Sequence, residues 1–220
     1  MRTRSSRPAP AAALLAFGLM FAAPYAVHAE DSYDSFVQAV AIDRSDQVRA
    51  MLARGMDPNT VDPNGDPVLL VAARAGWQTT LNALLGAGAK VDAPNHFGDR
   101  PITVAALGGH LAIVKILYAH GALLDAPGWT PLAYAATTGQ TEVARYLVDA
   151  GANVNALSPN GTTALMMAVR GGYAPVVDLL LAHGADVNLH NENGATALSW
   201  AVRGGYDGIA RALRAHGATG

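Results

Sequence analysis

From residue 31 onward the apolar positions fall in short runs, and within a run they keep a helical rather than an alternating spacing. Ile113, Val114 and Leu117 share one helix face, as do Val143 and Leu147, and Val176, Val177 and Leu180. Ahead of these runs lie shorter ones with paired small side chains: Ala72-Ala73, Ala105-Ala106, Ala135-Ala136, Ala168-Val169 and Ala201-Val202. Small pairs let neighbouring backbones approach closely, so the pattern predicts a short first helix followed by an amphipathic second one.

Glycine punctuates both. Gly76, Gly109, Gly139, Gly172 and Gly205 follow the small pairs, where a helix ends in a left-handed residue. A second series, Gly55, Gly88, Gly121, Gly151, Gly184 and Gly217, closes the second helices with spacings of 33, 33, 30, 33 and 33 residues. Two registers with one period and the same 30-residue exception define a repeat protein. Segments such as Asn153-Val154-Asn155-Ala156 and Asp186-Val187-Asn188 lead into turn-rich stretches ending in Gly65, Gly98, Gly161 and Gly194.

The run Gly128-Trp129-Thr130-Pro131-Leu132-Ala133-Tyr134-Ala135-Ala136 closely resembles the ankyrin repeat, as does the stretch from Gly109-His110 to Gly121-Ala122. The resemblance covers about residues 31–219. It implies an all-α ankyrin-repeat solenoid of stacked helix-turn-helix units with β-turn or hairpin-like fingers. Six units are expected: an N-terminal cap at 30–61, repeats at 62–94, 95–126, 127–157 and 158–190, and a C-terminal cap at 191–220. In the column Leu52, Leu85, Tyr118, Val148 and Leu181 the last unit has Arg214, which suits a capping face that no neighbour covers, and Asp31, Asp34, Asp43 and Asp46 wet the first unit.

Two features depart from the family pattern. The histidine of the family's Thr-Pro-Leu-His, which usually links adjacent units by hydrogen bonds, is replaced by Leu70, Thr103, Ala133, Met166 and Ser199. The loop from Gly121 to Gly128 is three residues shorter than its equivalent from Gly88 to Gly98, which predicts one stunted finger.

Composition fits helices: 51% of residues are hydrophobic, and much of that share is alanine. Arg2, Arg4 and Arg7, an apolar stretch from Ala11 to Ala23, Pro24 and the small-residue end Val27-His28-Ala29 read as a secretory signal. The apolar core is shorter than the roughly 20 residues of a spanning helix. Cleavage is expected after Ala29, with the periplasm of a bacterium as the destination and, as the alternative, secretion beyond it as an effector that binds host proteins. The 17 acidic residues then face 12 basic ones, since three of the 15 basic residues leave with the signal. A mildly acidic body without a Lys/Arg block lacks the footprint of nucleic-acid or anionic-membrane binding. The absence of cysteine rules out disulfides, thiolate metal sites and a thiol nucleophile.

Candidate chemistry is sparse. His120, His183 and His216 share a column just before the glycine that ends the second helix, where a partly cationic imidazole interacts well with helix carbonyls. A metal ladder would need close ligand pairs, which the sequence lacks. Asp62, Asp92 and Asp125 sit at turn positions suited to capping backbone amides. With no nucleophile elbow, P-loop or dinucleotide fingerprint, no catalytic, cofactor or metal residue is assigned. An enzymatic or metal-carrying protein is the remote alternative.

The resemblance implies instead that another protein binds the concave side, on the fingers and the exposed positions of the first helices. Carried over position by position, that surface comprises Asp66, Arg74 and Trp77; Phe97, Asp99 and Leu107; Trp129 and Thr137; Arg170 and Tyr173; Arg203 and Tyr206. Aromatic and arginine side chains are the usual material of binding hot spots. Arg74, Arg170 and Arg203 share one column and read either as a basic stripe for an acidic partner segment or as plain solvated arginine. Trp77, Tyr173 and Tyr206 read either as part of that surface or as packing over the start of the second helix. A monomer without cofactor is expected.

Overall fold

The computed structural model describes the backbone of residues 25–219, with side chains from residue 32. The chain divides into two compact units, Met1–Asp34 and Ser35–Gly220. The expected signal, residues 1–29, lies outside the described residues except for the backbone of 25–29, which is helical. None of the described helices is long and apolar enough to cross a membrane.

Twelve helices are described and no strand is present among the described residues. They are α1 (Tyr25–Ala41) and α2 (Ser45–Ala53), α3 (Val68–Ala75) and α4 (Gln78–Gly86), α5 (Pro101–Leu107) and α6 (Leu111–Ala119), α7 (Pro131–Thr137) and α8 (Thr141–Asp149), α9 (Ala164–Arg170) and α10 (Ala174–Ala182), and α11 (Ala197–Arg203) and α12 (Asp207–Ala215). First helices α3, α5, α7, α9 and α11 pack in one row and second helices α2, α4, α6, α8, α10 and α12 in another. The small pairs explain the first row: Ala72, Ala73, Ala105, Ala106, Ala135, Ala136, Ala168, Val169 and Ala201 are all fully buried. Val202 alone of that set is 58% exposed, because no unit follows it among the described residues.

Local chemistry starts the first helices. The hydroxyls of Thr130, Thr163 and Thr196 accept from the amides of Ala133, Met166 and Ser199, and so satisfy donors that a helix N-terminus leaves free. Pro101 and Pro131 occupy the first helical position, where a missing N–H costs nothing. Gly76 and Gly172 show why glycine ends these helices. Both have φ values in the left-handed region, +82° and +70°, and a Cβ there would lie 2.9 Å from the His110 ring and 2.8 Å from the Tyr206 ring of the next unit.

At the family histidine's column Leu70, Thr103, Ala133 and Met166 are buried, and the Thr103 and Ser199 hydroxyls bond within their own turns. The units are linked elsewhere. Asn59, Asp92, Asp125, Asn155 and Asn188 form a column whose side chains accept from the backbone amides of Lys90, Leu123, Asn153, Asp186 and Thr219, each one unit further on. Asp92 and Asp125 thus cap amides, as their turn positions suggest, but the amides belong to the following unit. Asp43, expected only to wet the first unit, accepts from the Thr80 hydroxyl at 2.7 Å and is another inter-unit tie.

Candidate functional site

The fingers present one side of the candidate face. Asp62, Asn95 and Asn191 each accept from the amides two and four residues ahead, which folds residues 62–66, 95–99 and 191–195 into tight turns. The antiparallel bridges Val61–Pro67 and His190–Thr196 close two of these fingers into hairpin-like loops. The finger from Asp125 to Thr130 is the expected short one: the three residues it lacks are those equivalent to Asn95, His96 and Phe97, which make the turn in the unit before. Phe97, at the tip of that preceding finger, is 78% exposed, with its ring 3.7 Å from that of His96.

Below the fingers, several predicted contact residues are engaged inside the protein. Asp66 is buried, and its carboxylate accepts from Arg74 Nη1 at 2.7 Å and from Asn95 Nδ2 of the next unit at 2.8 Å. Burial alone would raise its pKa, but the hydrogen bonds from Arg74 and Asn95 and the Arg74 charge hold it below the ordinary carboxylate value. Asp99 takes the same finger position one unit on and accepts from the Tyr134 hydroxyl. Burial and the Asp99 carboxylate together push the Tyr134 phenol well above its usual pKa, so it stays a donor. The Trp129 ring, half-buried on the shortened finger, lies 6.2 Å from that of Tyr134. Leu107 and Thr137 are also half-buried; the Leu107 carbonyl accepts from Thr138, and the Thr137 hydroxyl donates to Ala133.

Trp77, Tyr173 and Tyr206 are half-buried and packed on the core, each immediately before a second helix. Trp77 Nε1 donates to the Ala41 carbonyl, while Tyr173 covers Gly139 and Gly171, and Tyr206 covers Gly172 and Gly204. Their rings therefore contribute mainly to the seam between units, the packing alternative, although Tyr206 keeps an edge on open space. That space is a cleft of about 340 Å³ lined by Arg170, Trp200, Arg203, Gly204 and Tyr206. Arg170 and Arg203 are exposed and make no ion pair among the described residues. The arginine column is thus split, with Arg74 tied to Asp66 and the other two unpaired.

The family model described as "Ankyrin repeats (3 copies)" matches residues 36–122, 71–158 and 151–219. The chain belongs to the ankyrin-repeat family. Ankyrin repeats are generally protein–protein interaction modules, and the family is typically non-catalytic. A comparison with curated proteins finds no match to this ankyrin chain.

Two residues of the ankyrin array's candidate face escape the sequence reading. Tyr134 and Trp200 occupy the column of Val71, Val104 and Met167, one position after the missing family histidine. The signal was present as two aromatics in a column otherwise held by aliphatic and methionine side chains. The histidine column has a local role: Nδ1 of His120, His183 and His216 is bonded to the carbonyl four residues earlier, at the ends of α6, α10 and α12. Among the described residues no group of three histidine or carboxylate side chains is placed to hold a metal ion.

Proposed function

We propose that this ankyrin-repeat chain is an exported, non-catalytic binding module that acts in a bacterial periplasm as a monomer. There it holds, protects or regulates a partner protein through the face formed by its fingers and first helices. The observation that carries the reading is the contrast within that face. Asp66 pairs with Arg74, Asp99 with Tyr134, and the seam aromatics pack between units, whereas Phe97 at a finger tip is exposed and Arg170 and Arg203 beside the Trp200 cleft are exposed with no ion pair among the described residues. Aromatic and arginine groups left open on a rigid scaffold are what a partner can bury at small entropic cost. The signal-like sequence pattern of residues 1–29, three arginines followed by an apolar stretch and a small-residue end, supports the location.

A photo-crosslinking amino acid placed in turn at Phe97, Arg203 and Lys115 tests the face in intact cells. Lys115 is an exposed residue of the second-helix row and serves as the control. Adducts of one defined mass from Phe97 and Arg203, with none from Lys115, are expected; equal adducts at all three sites, or none at Phe97 and Arg203, refute the face. Cell fractionation with N-terminal sequencing tests the location, with Glu30 expected as the first residue of a periplasmic form. An uncleaved cytoplasmic protein refutes export, and accumulation in the medium moves the site of action outside the cell.

A further inference from the structure

We propose that the cleft between the last two first helices binds an extended acidic segment of the partner, with carboxylates on Arg170 and Arg203 and an apolar side chain against Trp200. The inference rests on the reading of this face as the protein-binding surface and specifies what binds there.

The array contains its own template for the contact. In the unit of Arg74 the residue eight positions earlier is Asp66, and its carboxylate meets Arg74 Nη1 at 2.7 Å. The finger column that begins with Asp66 continues through Asp99, Trp129, Thr162 and Ala195. Eight positions before Arg170 and Arg203 therefore stand Thr162, which is buried, and Ala195, which has no polar side-chain atom. The arginine has been kept in these two units and its internal carboxylate has not. A guanidinium offers a planar fork of donors that matches a carboxylate, so the chemistry missing inside the chain is that of an incoming Asp or Glu.

The rest of the cleft specifies more than charge. Trp200 is half-buried and lines the cleft, so part of its ring is open to a ligand. Its ring can cover an apolar side chain of a bound segment. Gly204 adds no side chain to the cleft, and Tyr206 supplies a second aromatic wall. The cleft volume of about 340 Å³ is that of one or two side chains rather than a folded element. Packed helices lie about 8–10 Å apart, and an extended chain of polyproline-II form rises about 3.1 Å per residue with three residues per turn, so acids about three positions apart share one face and meet both arginines. The surrounding array is acidic, with 17 acidic and 12 basic residues beyond position 29. An acidic partner is therefore repelled elsewhere and admitted here, which favours a defined docking register.

Selection from a phage-displayed random dodecapeptide library tests the inference on the mature chain, Arg170→Gln/Arg203→Gln and Arg74→Gln. Peptides recovered on the wild type and on Arg74→Gln are expected to be enriched in paired Asp or Glu around an apolar residue. A synthetic peptide of the commonest recovered sequence should bind the double variant at least tenfold more weakly, since about tenfold is expected per charged hydrogen bond lost. The two arginines are exposed, so the double variant should keep the wild-type unfolding midpoint in urea. Enrichment without acids, or acidic enrichment that survives in the double variant, overturns the inference alone. Failure to enrich any peptide overturns the reading of the face together with it. Displacement of the peptide by oligodeoxythymidylate at physiological salt would assign the arginines to a phosphate backbone and likewise overturn the acidic segment.

Discussion

Replacing Asp66 by alanine separates the two ends of one hydrogen-bonded group. Its carboxylate holds a half-exposed guanidinium on one side and a buried amide on the other: the Arg74 side chain is 48% exposed, and Asn95 is only 7% exposed. Losing the Arg74 contact costs under about 1 kcal/mol, because the guanidinium returns to water. Losing the acceptor for Asn95 Nδ2 leaves a buried donor unmatched, at about 1–3 kcal/mol. Asn95 also folds the Phe97 finger through the amides of Phe97 and Asp99, so strain at Asn95 spreads to the finger tip. Asp66→Ala should therefore cost about 2–3 kcal/mol and Arg74→Ala under about 1 kcal/mol in urea unfolding of residues 30–220. Equal losses for the two variants, or a loss for Asp66→Ala below that of Arg74→Ala, would refute the assignment. The pH dependence checks the same group. Its folded pKa is lowered, so the stability it contributes is complete above about pH 4 and is lost as the pH falls through the folded value. The gap between wild type and Asp66→Asn should thus be constant near neutrality and close in acid; a gap that widens below pH 4 contradicts the charge assignment.

The inter-unit column makes a second test. Asn155 accepts from the Asp186 amide and donates to the Gly184 carbonyl, both at exposed positions, so Asn155→Ala should lower urea stability by about 1 kcal/mol, and Asn155→Asp, which keeps only the acceptor, by less. Gly172→Ala meets both a left-handed φ and the Tyr206 ring, whereas Gly184→Ala meets the same φ and open space. Gly172→Ala should be the more destabilising, with about 1 kcal/mol for the backbone alone at Gly184, and equal unfolding midpoints would show that Tyr206 does not press on the glycine. Phe97→Ala should leave the unfolding midpoint unchanged, given its 78% exposure, while lowering the yield of the photo-crosslink from Arg203; a lowered midpoint would mean the ring is part of the fold.

Most of the architecture was legible because it rests on local constraints repeated in register. The glycines that close the first helices, Gly76, Gly109, Gly139, Gly172 and Gly205, all have positive φ, a conformation that disfavours other residues and so marks the same place in every unit. The short finger was legible for the same reason, as a three-residue deficit between two glycine marks. The site was less legible because its pairings cross columns. Asp66 and Arg74 belong to different columns, so a column-wise reading sets Arg74 beside Arg170 and Arg203 and misses the carboxylate that distinguishes it. The Asn and Asp ladder could be read as amide-capping, but the capped amide lies in the next unit, a fact of stacking that no single unit carries. Each departure from the repeat can then be sorted by what its neighbour does. Where one departure is answered by another, as Leu107 in the arginine column is by the Tyr134 hydroxyl on Asp99, the change is absorbed by the scaffold. Where it is left unanswered, as at Arg170 and Arg203 above Thr162 and Ala195, the arginine keeps only its place in the last turn of its helix, and the binding role proposed for it rests on that open guanidinium.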